Sequence, residues 1–306
     1  MAGIGIEFRR FFVKRSVLSA VRGFAYSLTT TLTPILAVIL VLLAMFQTLG
    51  YDQTRYARRE LLSAAILYAF VFSLQINAGL GAVLSRFIAN KLYQEDVKSV
   101  QSAFYAGLML SMGAAAVLGI PFQVRVCLKG GVEPSFALGS YCLFVSVTLA
   151  FYVMIFIAAV KDYKRVSLFF AAGMAFAFAL GALLVYGCGV DVVTAIVYAL
   201  TGGFLVIAAL EYGYACSLFP QGEVHFREVP QCFSQWRNLF FANQLYSLGL
   251  FAHNIVFWMF SGLRVVVADS YLCAPLYDKA SCVAIHRNLT IMIYQRVAYV
   301  SLAVSK

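Results

Sequence analysis

Apolar stretches long enough to cross a bilayer alternate with short charged segments along the chain. A membrane-spanning helix needs about 20 mostly apolar residues. By that measure residues 17–49, 60–84, 102–122, 136–160, 166–188 and about 191–219 predict six helices, the first kinked at Pro34. Residues 239–260 predict a seventh. An eighth, over 280–304, is unusually polar, with His286, Arg287, Gln295 and Arg296. Between the helices lie a polar loop at 51–59, a charged connection at 86–101, and a loop at 123–135 holding Gly130, Gly131 and Pro134. A basic cluster follows at Lys161, Lys164 and Arg165, then a tight turn at Gly189 and Asp191. Residues 261–279 are mixed in character. Residues 220–238 form the longest polar connection after the N-terminus and hold two prolines.

This pattern predicts an all-α polytopic membrane protein of about eight transmembrane helices. Residues 17–219 form one six-helix lobe, 220–238 an inter-lobe linker in the cytoplasm, and 239–306 the start of a second lobe. Residues 1–16 mix Ile4, Phe8, Phe11 and Phe12 with Arg9, Arg10, Lys14 and Arg15. That mixture predicts an amphipathic helix lying on a leaflet of anionic lipids. It is not a cleavable signal, because the apolar stretch that follows is too long.

Composition sharpens the picture. The chain is 62% hydrophobic and only 12% charged, whereas soluble domains carry about 25% charged residues. A mean hydropathy of +0.86 excludes an ordinary water-soluble enzyme. The net charge of +10 reports topology and contact with anionic headgroups. Nucleic-acid binding would need a basic face on a folded domain, and no loop is long enough to build one. With the N-terminus in the cytoplasm, thirteen Lys and Arg fall on the inner segments and seven on the outer ones. Seven cysteines show no metal-binding spacing and read as small apolar helix residues, with an external disulfide among Cys127, Cys273 and Cys282 as the minor alternative. The three histidines lie far apart, so a zinc site has no support.

Polar residues at bilayer depth are the candidates for function. Glu211, flanked by Tyr212 and Tyr214 in the sixth helix, reads either as part of a transport pathway or as a helix-end and packing residue. On the first helix Arg22, Tyr26, Thr29, Thr30 and Thr33 share one face at spacings of three and four. A stripe of hydroxyls beneath a guanidinium suits a hydrated cavity for sugar hydroxyls or a phosphate. Equally, Arg22 snorkels to the headgroups while the threonines bond their own backbone. On the second helix Ser73, Gln75 and Asn77 point into the bundle, as interhelical glue or as cavity lining. The chain has no P-loop, HExxH, GxSxG, dinucleotide fingerprint or paired acidic glycosyltransferase motif, so it makes no case for catalysis or a cofactor.

Several segments together resemble PelG, the polytopic subunit of Pel exopolysaccharide export, grouped with the polysaccharide flippases of the multidrug/oligosaccharidyl-lipid/polysaccharide superfamily. They are Met1–Arg9, Ser85–Tyr93, Val160–Arg165, His253–Trp258 and Ala274–Asp278. Each alone is weak; their order and spacing carry the match. The resemblance implies about twelve helices in two lobes around a central cavity, with one lobe and two further helices supplied here. A longer chain or a partner is then expected to complete the bundle. It also implies a bacterial inner membrane, a cytoplasmic glycosyltransferase and small membrane subunits as partners, and an amino-sugar-rich polymer as cargo. Arg86, Lys91, Lys161, Lys164 and Arg165 are the expected docking cations. The substrate pathway is expected at Arg22, Tyr26, Thr30, Thr33, Gln75, Asn77 and Glu211. Polymer export is the leading reading. Its alternatives are an ion-coupled small-molecule exporter with Glu211 as the ion site, and a non-transporting scaffold for a synthase complex.

Overall fold

The computed structural model describes residues 17–281 except 95, 97, 160–161, 220–227 and 279, and in the first helix it describes side chains from Thr33 onward. The N-terminal helix expected over 1–16 lies outside these residues, as does the eighth helix beyond Ser281. Helix α1 spans Val17–Thr48 and contains Pro34. A single 3-10 turn, Tyr51–Gln53, leads into α2, Tyr56–Tyr93. Then come α3, Lys98–Gly130, and α4, Pro134–Ala159. Helix α5, Tyr163–Ala182, runs on as a π-turn over Leu183–Gly187. Helix α6 is Val192–Leu218, α7 is Glu228–Gln235 and α8 is Arg237–Phe260.

Among the described residues α2 through α6 are each long and apolar enough to cross a membrane, and Thr33–Thr48 of α1 adds a shorter apolar stretch. The protein is an all-α polytopic membrane protein.

Two helices are longer than the apolar pattern predicts. Helix α2 continues through residues expected to begin a charged connection, because Leu84, Phe87 and Ile88 keep a buried stripe while Arg86 falls on the exposed side. Helix α3 passes through Pro121, which costs one hydrogen bond that a membrane helix tolerates. It keeps Val126 fully buried beyond the proline. It ends where the turn was expected: Gly131 has φ +59°, the left-handed conformation that glycine adopts freely at a helix C-terminus.

Helix α6 is the centre of the lobe, packing on α4 and on α5, while α1 leans on α5. Contact between α5 and α6 is made by glycines. A Cβ built on Gly203 would stand 2.7 Å from Ala177 Cβ and 2.8 Å from the Gly173 carbonyl oxygen. Small residues at that crossing let two backbones touch. At one end of the bundle Arg58 pairs with Glu133 at 3.1 Å and Asp191 at 2.7 Å, tying α2 to the starts of α4 and α6. Asp162 and Asp191 cap α5 and α6 by accepting from the backbone N–H of Arg165 and Thr194.

Beyond α8 the mixed segment is a β-hairpin. Strand β1, Val265–Val267, pairs antiparallel with β2, Tyr271–Cys273. The run of three valines favours a strand. The turn places Ala268 and Asp269 at positive φ, 48° and 44°, the backbone twist that tight hairpins prefer. The hairpin tip meets the end of α3, with the Ala268 carbonyl against Gly130. Cys127 and Cys273 are free thiols, so the alternative of a disulfide between these two does not hold. Burial pushes the Cys273 thiol up to about 12, which keeps it protonated and unreactive.

Candidate functional site

The polar residues of α2 turn to two different partners. Ser73 and Asn77 face α3 and α4. The Ser73 hydroxyl lies 2.8 Å from Thr148 Oγ1. Asn77 Nδ2 donates to the Ser73 and Thr148 carbonyls at 3.1 and 3.0 Å, and its Oδ1 accepts from Ser111 at 3.0 Å. Every polar atom of the Asn77 side chain is thus engaged inside the bundle. Such a satisfied network holds three helices in register.

Gln75 faces α8 instead. Gln244 Nε2 donates to the Gln75 carbonyl at 3.0 Å and to Gln75 Oε1 at 3.3 Å. Asn243 Nδ2 donates to the Ala78 carbonyl at 2.7 Å, and Gly79 N–H donates to Gln244 Oε1 at 3.1 Å. Gln75 Nε2 is buried there with no hydrogen-bond partner among the described residues. Three amide side chains therefore join α8 to α2. Neither Asn243 nor Gln244 stands out in the sequence, since each amide is ordinary until its partner is known.

Glu211 lies apart from both sets. On α6 it continues the buried stripe of Phe204, Ile207 and Ala208, with Ala215 beyond it. The residue is 0% exposed, and among the described residues neither carboxylate oxygen has a hydrogen-bond partner. An uncompensated carboxylate in such a place would cost many kcal/mol. Thr33 is half-buried on α1. The side chains of Arg22, Tyr26 and Thr30 lie outside the described residues.

A cavity of about 190 Å³ opens between α2, α3, α4 and the hairpin. Its aromatic walls are Tyr68, Phe72, Phe122, Phe144 and Tyr271; Gln123 and Ser140 are its polar members. Tyr68 is fixed by its hydroxyl, which donates to the Leu272 carbonyl and accepts from the Leu272 N–H, both at 2.9 Å. The residues come from four separate segments, so no local motif announces this cavity.

The expected docking cations lie at the opposite end of the bundle from the hairpin. Arg86 and Lys164 are exposed. Lys91 pairs with Asp96 at 3.0 Å. Arg165 pairs with Asp162 at 3.4 Å and lies over the Tyr214 ring at 4.0 Å. The Ser99 hydroxyl and Lys91 hold the Asp96 carboxyl below its ordinary range. Lys161 lies outside the described residues. Among the described residues no cluster of metal-ligating side chains occurs.

Residues 1–298 match the PelG family, described as "Putative exopolysaccharide Exporter (EPS-E)". The chain belongs to that family. No curated protein and no solved structure matches it. As a PelG-family member it is a membrane subunit of exopolysaccharide export.

Two of the PelG-like segments are one structural unit. Asp278, from the second, accepts from Asn254 Nδ2 and Trp258 Nε1 of the first, each at 2.9 Å. Its other oxygen accepts from the Ala274 N–H at 3.0 Å. Ser281 donates to Asn254 Oδ1 at 3.0 Å, and Phe257 stacks on Tyr277 with centroids 3.7 Å apart. This carboxylate knot pins the chain after the hairpin to α8. A third segment, Ser85–Tyr93, is the amphipathic extension of α2.

Proposed function

We propose that this protein moves a glycan polymer across the bacterial inner membrane, from the cytoplasm to the outer face. It acts with a cytoplasmic glycosyltransferase and small membrane subunits, and carries out no chemistry of its own. Membership of the PelG family over residues 1–298 is the observation that supports the reading. In this arrangement the N-terminus is cytoplasmic, as the excess of inner-side Lys and Arg favours. The end of the bundle bearing Arg86, Lys164 and Arg165 then meets the glycosyltransferase, and the hairpin faces outward. Charged rims of this kind set association more than they set stability. Reversing Lys161, Lys164 and Arg165 to glutamate is expected to cut co-purifying glycosyltransferase at least about tenfold, with membrane insertion intact. Recovery of the enzyme at the wild-type level in a gentle-detergent pull-down would count against this docking face.

One observation favours a second reading, in which an ion gradient drives transport of a small molecule: the buried carboxylate of Glu211, which has no partner among the described residues. The polymer reading does not need it, because synthesis at the cytoplasmic face can push the chain through. Under polymer export Glu211→Gln, which removes the ionisable carboxyl and keeps the shape, is expected to secrete glycan within about twofold of wild type. Loss of secretion beyond about tenfold, with normal protein level, would put ion coupling first.

A further inference from the structure

Helix α8 is held to α2 in two different ways along its length. Its outer part, from Phe251 on, is pinned. Phe251, Ile255, Phe257 and Trp258 join Val71 and Ala274 in one apolar cluster. Trp258 also stacks on Tyr68 at 5.2 Å, and Asp278 ties it to the chain beyond the hairpin. The inner part, residues 237–250, belongs to no buried apolar cluster among the described residues. Leu239, Phe241, Leu245, Tyr246, Leu248 and Leu250 are exposed there, and only Ser247 is buried.

What holds the inner part is two amides that grip the backbone of α2. Gln244 Nε2 donates to the Gln75 carbonyl at 3.0 Å, and Gln244 Oε1 accepts from the Gly79 N–H at 3.1 Å. In an α-helix the N–H of residue 79 and the carbonyl of residue 75 are each other's partners, so Gln244 straddles one rung of α2. Asn243 Nδ2 donates to the Ala78 carbonyl at 2.7 Å. Glycine permits this approach, since a Cβ built on Gly79 would stand 2.7 Å from Phe240 Cε2. When the amides leave, these backbone groups keep their helical partners, so parting strands nothing on α2. The amides themselves then need partners that donate and accept, and hydroxyls do both. Polar contacts between membrane helices stabilise only modestly, because separated helices find other partners. Helix α8 packs chiefly on α2. It also meets α7, through Phe240 against Phe233 at 6.2 Å, and α7 directly precedes it in the chain and can travel with it.

We propose that the inner part of the α2–α8 seam is a gate on the glycan path. Gln244 and Asn243 latch it shut, and it opens when α8 swings about its pinned outer end. On opening, the amides of Gln75, Asn243 and Gln244 exchange their partners across the seam for the hydroxyls of the polymer. The assignment rests on the export reading above, and it names the part of the bundle that moves.

The test locks the seam. Gln75→Cys and Gln244→Cys are introduced together into the otherwise native chain in its host. A short bis-methanethiosulfonate reagent bridges them, and mass spectrometry confirms the bridge. Secretion of glycan is expected to fall at least about tenfold and to return when dithiothreitol removes the bridge. Each single-cysteine variant carries the same native thiols and is expected to secrete within about twofold of wild type under the reagent. A longer, flexible reagent across the same two cysteines is expected to block less. Ala78→Cys with Asn243→Cys supplies a second bridge across the seam, with the same result expected. Wild-type secretion from the bridged chain overturns the proposal, because the seam then stays shut during export. Failure of both cysteine pairs to bridge also overturns it, since the two helices then do not meet there. Equal block by short and long reagents is the mark of obstruction rather than locking, and it overturns the gate too. A deletion strain separates the two levels. If it secretes nothing while the bridged chain secretes normally, the gate falls and export stands. If it secretes normally, the export reading falls, and the gate with it.

Discussion

Gly203→Leu is expected to destabilise the lobe by at least about 3 kcal/mol, the upper end of what overpacking a tight core costs. The new Cβ would meet Ala177 Cβ at 2.7 Å and the Gly173 carbonyl oxygen at 2.8 Å. A carbonyl on a helix backbone cannot swing aside as a side chain can, so α5 and α6 must separate. Helix α6 is also the most central helix of the lobe, so the separation spreads to α4. Thermal unfolding in detergent reads the effect, with a large fall in midpoint and a low yield of inserted protein expected. Gly213 on the same helix is the control: a Cβ there meets nothing within 4 Å. Gly213→Ala is expected to be neutral or slightly stabilising, since alanine is the better helix former. Equal effects at the two glycines would show that the close crossing is not what holds these helices.

Asp278→Ala is expected to cost on the order of 3–5 kcal/mol in the unit formed by α8 and the hairpin. One carboxylate serves three donors: Asn254 Nδ2, Trp258 Nε1 and the Ala274 N–H. Hydrogen bonds to a charged group contribute roughly 1.5–3 kcal/mol each and do not add fully. Asn254 and Trp258 are each only 4% exposed, so their donors would be left unpaired without access to water. Asp278→Asn is expected to be intermediate, because its amide oxygen can still accept while its NH₂ would face another donor. Limited proteolysis between residues 261 and 279 reads the effect locally. Cleavage is expected to be fastest in the alanine variant, slower in the asparagine variant and slowest in wild type. An alanine variant as resistant as wild type would mean that the Phe257–Tyr277 stack holds this unit without the carboxylate.

The helical lobe was legible because a bilayer imposes one rule on sequence, a long apolar run for each crossing. That rule locates α1 to α6 but not their ends, which follow amphipathicity rather than hydropathy. Arg86 and Lys91 therefore read as a connection although they lie on the last turns of α2. The hairpin was legible in principle, since Val265–Val267 is a β-branched run followed by Asp269. In a chain rich in valine that signal does not stand out.

Among the polar residues, Glu211 and Asn77 announce themselves by lying in apolar runs. What distinguishes them is invisible in one dimension: Asn77 finds three partners on α2, α3 and α4, and Glu211 finds none among the described residues. The cavity was not legible at all. Tyr68, Gln123, Ser140 and Tyr271 are ordinary residues of four segments, and only the fold makes them neighbours.

Export of glycan through the inner membrane is the role proposed for this PelG-family protein. The most direct test deletes the chain from its host and measures polymer in the medium and in the cytoplasm, before and after complementation. The account predicts that extracellular polymer disappears and returns with the wild-type chain, while the glycosyltransferase stays present in the deletion strain. Unchanged extracellular polymer in the deletion strain would contradict it.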